Sequence, residues 1–141
     1  MAGSKTRVRS CGDDQARQRS DRAREFLEVA DMIADDRGED SSPIYGSAAA
    51  SLAILAGIAA SDAACCRVLG QRSRSENHRD AENLLVQIEP GGKRAASDLR
   101  ELLNLKDKAQ YGFLRLGEAE LKRVMRRAES LAEFAAEVLR R

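Results

Sequence analysis

Residues 45 to 70 read "YGSAAASLAILAGIAASDAACCRVLG" and carry small or apolar residues at almost every position. A helix that is apolar all round is buried, and small side chains let neighbouring backbones pack closely against it. We therefore predict a central helix from about 43 to 69. Ser42 can cap its start, Pro43 suits the first turn, and Gly70 is typical of a helix end.

Asp62 is the one acidic residue inside this apolar segment. An unpaired carboxylate is costly to bury, so the side chain needs a partner. We expect a salt bridge to an arginine of another helix.

Helical spacing of apolar residues predicts four further helices around the central one. Their approximate bounds are 16–36, 74–88, 93–110 and 118–140, and Ser73 with Glu76 forms a capping-box pattern at the start of the third. Residues 1–15 lack periodicity and are predicted to form a disordered polar arm. We find no convincing strand. The prediction is an all-α, up-and-down bundle of four to five helices that forms one domain over residues 16–141.

The chain has 141 residues, of which 43% are hydrophobic, and a formal net charge of +1. This composition indicates one globular domain, and it makes any anion site local rather than global. The N-terminus is polar and has no signal peptide, and the apolar run is too short and too quickly followed by Asp62 to span a bilayer. We expect a cytoplasmic protein without a membrane partner.

Cys11, Cys65 and Cys66 form no recognisable disulfide framework or C-x-x-C motif. With a single histidine in the chain, this pattern argues against structural zinc and favours a reducing compartment. We expect Cys65 and Cys66 to pack as small hydrophobic residues, and Cys11 to be an exposed thiol. No metal and no cofactor is predicted.

The only histidine lies in "QRSRSENHRDAENLL", residues 71 to 85, among several arginines. Near neutral pH an imidazole can take and give a proton, and a guanidinium offers a planar fork of donors to phosphate oxygens. Arg72 and His78 at a helix start could share one anion pocket, in which nearby positive charge lowers the pKa of His78. The alternative is a structural histidine at the edge of an apolar stripe, beside solvated arginines.

Two other sequence patterns support weaker hypotheses of a binding site. Lys108 and Tyr111 share a helix face near Lys106 and could hold a phosphate or a ribose, although such a tyrosine more often packs at the end of a bundle. The basic residues of the last helix, Lys122, Arg123, Arg126 and Arg127, normally form a solvated face.

The order of these segments resembles the HEPN superfamily of helical-bundle proteins over roughly residues 20 to 140. The resemblance rests on "AAASLAILAGIAASDAACC", "ENHRDAENLL", "LLNLKDKAQYG" and "AELKRVMRRAESLAEFAAEVL". "NHRDAENLL" is similar to the His-x-x-x-x-x-Leu-Leu segment of that family, and "KDKAQYG" to the end of its next core helix. The chain departs from the pattern at Ser73, where the family often has Asn, Asp or His, and in the early position of the motif.

The resemblance implies a metal-independent endoribonuclease that acts as a homodimer and as a toxin, with a nucleotidyltransferase-type antitoxin as partner. It implies that Arg72 and His78 are catalytic. The residues it suggests for RNA binding are Ser73, Arg74, Asn77, Arg79, Lys108 and Tyr111. One histidine cannot easily serve as both base and acid within a turnover, whereas two copies across a symmetric cleft could do so.

Three hypotheses for the function remain open from the sequence. The first is an RNase that leaves 2′,3′-cyclic phosphate ends. The second is a non-catalytic module of the same fold that binds a nucleotide or a partner protein. The third is a monomeric helical scaffold without a ligand at Arg72 and His78.

Overall fold

The computed structural model describes residues 8–74, 78–112 and 116–141, without the side chains of residues 107, 110 and 111. Within these ranges the chain forms five helices and two short strands. In chain order they are β1 (Val8–Ser10), α1 (Asp13–Ala34), α2 (Gly46–Leu69), β2 (Gln71–Ser73), α3 (Arg79–Leu85), α4 (Gly92–Tyr111) and α5 (Glu118–Arg140). The predicted helical bundle is confirmed, and a small two-stranded ribbon is added to it.

Helix α2 is the central helix, as its small residues predict. It packs against α1, α4 and α5, and nearly all of it from Ala49 to Cys66 is buried. A Cβ atom on Gly57 would collide with side-chain atoms of Leu102 in α4 and would lie 3.2 Å from Leu131 Cδ1 in α5. The absence of a side chain at Gly57 is therefore what lets α4 and α5 approach this closely.

The start of α2 differs from the prediction, and its end agrees with it. The helix begins at Gly46, because Pro43 instead forms a bridge with Arg37 in the preceding turn. Gly70 ends the helix in the left-handed conformation, with φ of 68°. By length and mean hydropathy α2 would pass for a membrane span, but 72% of its most apolar window is buried inside the bundle, as in a core helix.

The helices at the two ends of the chain differ in how well the sequence predicted them. Helix α5 begins at Glu118 and ends at Arg140, the predicted bounds, and its buried residues follow the helical period. Helix α1 begins at Asp13, and the side-chain oxygen of Gln15 accepts a hydrogen bond from the backbone of Gly12 at 3.0 Å. The predicted disordered arm is therefore wrong from residue 8 onward, and residues 1–7 lie outside the described ranges.

A disulfide and a β-ribbon join the beginning of the chain to the end of α2. Strands β1 and β2 are antiparallel, with Val8 opposite Ser73, Arg9 opposite Arg72, and Ser10 opposite Gln71. Just beyond the ribbon, Cys11 forms a disulfide with Cys66, and its backbone N–H donates to the carbonyl oxygen of Gly70 at 2.9 Å.

The prediction that Cys11 and Cys66 are unpaired is wrong. The two partners are 55 residues apart and belong to different elements, so no local spacing signals the bond. Cys65 is a buried free thiol, as predicted, and its burial raises its pKa to about 12.

Arg67, near the end of α2, bridges the start of α1 and the end of α5. One guanidinium nitrogen donates to Asp13 Oδ2 at 2.8 Å, and the other to the carbonyl oxygen of Arg141 at 3.1 Å. Arg141 in turn donates to the carbonyl oxygens of Glu89 and Pro90, at 3.2 and 3.0 Å. The last residue of the chain thereby holds the turn between α3 and α4.

Candidate functional site

Helix α3 starts later than predicted, and this changes the position of the histidine. His78 precedes the first helical residue and adopts a left-handed backbone conformation, with φ of 58°. Its carbonyl oxygen accepts a hydrogen bond from the N–H of Ala81 at 3.0 Å. A positive φ is unfavourable for a residue with a side chain, so the surrounding structure must hold His78 in this conformation.

The predicted capping box is wrong, because Ser73 belongs to strand β2 and is buried there. Glu76, its supposed partner, lies outside the described residues, and so does Asn77. Helix α3 therefore starts after His78 and not directly after Ser73 as the sequence pattern predicted.

A cavity of about 410 Å³ gathers four of the eight predicted site residues. It is lined by Arg19, Ile58, Asp62, Arg72, Ser73, Arg74, His78 and Lys106. The lining residues come from α1, α2, β2 and α4, together with Arg74 and His78 from between β2 and α3, so long-range packing is needed to build the cavity. The structure brings Arg72 and His78 together, as predicted, and adds Arg19, Asp62 and Lys106, which sequence reasoning did not assign to the site.

Asp62 and Arg19 form a salt bridge across the wall of this cavity. Arg19 Nη2 lies 3.0 Å from Asp62 Oδ2, and the carboxylate is buried. Burial raises the pKa of Asp62, while the positive charges of Arg19 and Arg72 and the hydrogen bond from Arg19 act in the opposite direction. The predicted pairing of Asp62 with an arginine of another helix is confirmed.

This pairing leaves the described lining of the cavity positively charged. Among the described residues that line it, four side chains are cationic, and the one carboxylate, Asp62, is already bound to Arg19. A site of this kind favours an anion, since guanidinium and ammonium groups donate charge-assisted hydrogen bonds to phosphate oxygens.

His78 is half-buried at this cavity, and its pKa is lowered from the usual value of 6.5. Burial is the largest cause, and the charges of Lys106 and Arg19 add to it. The sequence predicted the direction of this shift but attributed it to the neighbouring arginines. A lowered pKa leaves the imidazole neutral near pH 7, the form that accepts a proton.

Of the remaining predicted residues, Arg79 and Lys108 are not among the described residues that line the cavity. Lys108 Nζ donates to Glu120 Oε2 at 2.8 Å, which stabilises the packing of α4 on α5. Arg79 is exposed at the start of α3. The side chain of Tyr111 is outside the described part of the chain. On α5, Arg127 lies 3.2 Å from Asp98 Oδ1 and 2.8 Å from Glu101 Oε2, so the basic face of this helix is partly neutralised.

A second, smaller cavity of about 270 Å³ adjoins the first. Gln15, Gln18, Arg19 and Arg72 line it, so Arg19 and Arg72 stand between the two cavities. A larger cavity of about 610 Å³ lies between α4 and α5, and its lining includes Arg94 and Arg140 together with Asp98, Glu133 and Glu137. Because acidic side chains outnumber basic ones in its described lining and His78 is not among them, it is a weaker candidate for an anion site.

Within the described ranges no three His, Cys, Asp or Glu side chains are grouped so that they could hold a metal ion. Comparison with known proteins found no matching family model, no matching curated protein and no matching solved structure. The cavity beside His78 is accordingly interpreted from its own chemistry.

Proposed function

We propose that this protein is an HEPN-like, metal-independent endoribonuclease that binds RNA in the cavity beside His78. The observation that supports it most is the lining of that cavity, in which four cationic side chains lie together with one imidazole whose pKa is lowered. Phosphodiesters need fixed positive charge for binding, and RNA cleavage needs a base for its 2′-hydroxyl.

In the proposed reaction His78 takes the proton of the 2′-hydroxyl, and the 2′-oxygen attacks the neighbouring phosphorus. The bond from phosphorus to the 5′-oxygen breaks, and the leaving oxygen receives a proton. The charge on the pentacoordinate phosphorus is stabilised by Arg72 and Arg74, both of which line the cavity. The products are a 2′,3′-cyclic phosphate and a 5′-hydroxyl.

The proton for the leaving oxygen needs a second group. Asp62 is bound to Arg19, and the lining residues of one chain include a single imidazole. We therefore propose a homodimer in which a second copy of this chain supplies the acid. A nucleotidyltransferase-type antitoxin belongs to the same proposal and rests on the family resemblance alone. A cytoplasmic location is proposed with it.

The test is cleavage of end-labelled single-stranded RNA in the presence of EDTA by the wild type, His78→Ala and His78→Gln. We expect both variants to lose about 10²- to 10⁴-fold in rate, the usual contribution of a positioned general base. Arg72→Gln should also slow cleavage, whereas Arg126→Gln, an equal charge change on the exposed face of α5, should not. Circular dichroism checks that each variant is folded.

Cyclic-phosphate ends made by the wild type alone would support the proposal. Equal cleavage by His78→Ala and the wild type would contradict it, because no other imidazole exists in the chain.

The alternative is a non-catalytic module that binds a nucleotide or a partner protein. It is favoured by the single imidazole among the cavity residues of one chain, which gives a binding site without a complete acid–base pair. Under this alternative the wild type cuts no RNA, and His78→Ala retains nucleotide binding while Arg72→Gln weakens it.

A further inference from the structure

The register of the ribbon places two arginines side by side. Arg9 of β1 lies directly opposite Arg72 of β2. Residues opposite each other in an antiparallel pair point to the same face, with Cβ atoms about 5 Å apart. Like charges in this arrangement destabilise a ribbon unless an anion lies between them.

Neither arginine is neutralised by a direct ion pair among the described residues. Arg72 donates weakly to the carbonyl oxygen of Ser73 at 3.4 Å, and its charge acts on Asp62 only through space. The exposed arginines of α1 behave differently, since Arg17, Arg22 and Arg24 each pair with an acidic residue three positions away. The ribbon thus keeps a pair of adjacent positive charges available for a ligand.

Arg72 also joins the two adjacent cavities. It lines both the cavity that contains His78 and the smaller cavity formed with Gln15, Gln18 and Arg19. Gln18 is exposed there, and its amide can both donate to and accept from a base or a sugar hydroxyl. The smaller cavity therefore combines phosphate-binding cations with a group suited to a nucleoside.

We propose that Arg9, Arg72 and Arg19 form a second phosphate subsite, for the nucleotide that adjoins the one beside His78. This inference rests on the proposed binding of RNA and specifies its form: the ligand is single-stranded RNA with at least two phosphates, not a mononucleotide. Strand β1 is then a ligand-binding element, and the Cys11–Cys66 disulfide holds it at the site.

The experiment compares a mononucleotide 3′-monophosphate with a 2′-O-methyl RNA tetranucleotide, which cannot be cleaved through a 2′-hydroxyl. Binding is measured over a range of salt concentrations for the wild type, Arg9→Gln, Arg9→Lys and the control Arg22→Gln. Arg22 carries the same charge on α1 but pairs with Glu25.

We expect Arg9→Gln to weaken tetranucleotide binding by about threefold to tenfold, the loss typical of one charge-assisted contact. Its affinity for the mononucleotide should stay within a factor of about two. The slope of log affinity against log salt for the tetranucleotide should fall by about 0.7, the value for one phosphate contact on a single strand. Arg9→Lys should restore the slope, and Arg22→Gln should leave both affinities unchanged.

The subsite would be overturned if Arg9→Gln weakened the binding of both ligands equally, or if it left the slope of log affinity against log salt for the tetranucleotide unchanged. A wild type that does not bind the tetranucleotide would also overturn it. These outcomes separate the two proposals. A protein that cleaves RNA but shows no effect at Arg9 keeps the proposed activity and loses the subsite. Length-dependent binding that Arg9→Gln abolishes, without any cleavage, supports the subsite and removes the catalytic role of His78.

Discussion

The helical core and the ribbon segment differ in their secondary structure and in the interactions that stabilise them. The core consists of long helices packed on α2, whose buried alanines and Gly57 allow close contact. The ribbon segment, which we define as β1, β2, Arg74 and His78, has strands of three residues and a left-handed residue at His78. Packing over many small contacts stabilises the first region, whereas a disulfide and backbone hydrogen bonds hold the second.

The candidate site spans the boundary between these regions. Ile58 and Asp62 come from the core, while Arg72 and His78 come from the ribbon segment. The geometry of the cavity can therefore change when the ribbon loosens, even while the core stays folded. Four predictions test this division, in order of decreasing effect.

The largest effect is expected in the core, at the contact between Gly57 and Leu102. Leu102→Ala should lower the free energy of unfolding by about 2–5 kcal/mol, since it leaves a cavity. Gly57→Ala should lower the free energy of unfolding by about 1–3 kcal/mol, because its new methyl group collides with Leu102. The loss in free energy of unfolding of the double variant should be smaller than the sum of the two single losses by at least about 0.5 kcal/mol, since the methyl group enters the space left by the leucine.

Urea unfolding monitored by circular dichroism measures these free energies. Leu85→Ala combined with Gly57→Ala is the control, and it should be additive because Leu85 is not among the atoms that a methyl group at Gly57 would meet. Strict additivity for Gly57 and Leu102 as well would show that the core is not packed as described.

The next effect is expected in the ribbon. Cys11→Ser opens a link between residues 55 apart, and should lower the free energy of unfolding by about 2–4 kcal/mol. Hydrogen exchange should accelerate at the amides of β1 and β2 more than in the middle of α2. A thiol reductant should reproduce the change in the wild type and have no further effect on Cys11→Ser.

Equal acceleration of exchange throughout α2 would remove the distinction between the two regions. The measurement also bears on the proposed cytoplasmic location, because thiol reductants there keep most cysteines reduced. In that compartment the ribbon, and not the core, is the part that responds to the redox state.

A smaller effect is expected at the salt bridge that joins the regions. Arg19→Met leaves the buried carboxylate of Asp62 without its direct partner and should lower the free energy of unfolding by about 1–3 kcal/mol. This loss is smaller than that for breaking a fully buried salt bridge, because Arg19 is partly exposed. Asp62→Asn in the same chain should recover part of the loss.

The pH dependence of this effect has a definite sign. Asp62 has a raised pKa in the folded protein, so its destabilising charge is present above that pKa and disappears as pH falls below it. Without Arg19 this pKa rises further. The difference in stability between Arg19→Met and the wild type should therefore shrink between pH 7 and pH 4, as thermal unfolding can show, and a difference that grows on acidification would contradict the assignment.

The smallest effect concerns His78, whose resonances are unambiguous because it is the only histidine. Its pKa measured by NMR should lie below 6.5, and Lys106→Met should raise it, since Lys106 contributes to the lowering. Because the folded pKa lies below the unfolded value, stability should decrease slightly as pH falls through this interval. A pKa above 6.5 in the wild type would mean that the imidazole is not held in the cavity as described.

The sequence predicted the core better than the ribbon, for a physical reason. The period of apolar residues determines which face of a helix is buried, and Glu118–Arg140 shows this period over its whole length. Strands as short as Val8–Ser10 and Gln71–Ser73 carry no such period. Their pairing lies next to a covalent bond between Cys11 and Cys66, and nothing near either cysteine in the sequence signals this bond.

The candidate site was predicted only as far as local sequence extends. Arg72 and His78 are close in the chain, so their proximity in space was foreseeable. Arg19 reaches the same cavity from α1 and Lys106 from α4. Only the need of buried Asp62 for a partner pointed to an arginine elsewhere, and it could not indicate which one.

The bridge made by Arg67 has a topological consequence. Since this side chain contacts both Asp13 and Arg141, the beginning of α1 and the end of α5 are neighbours in space. A short glycine-rich linker could connect them, and new termini could be opened in the exposed turn around Glu39. Such a circular permutant would keep every described helix intact but would leave out β1 and Cys11, which precede α1.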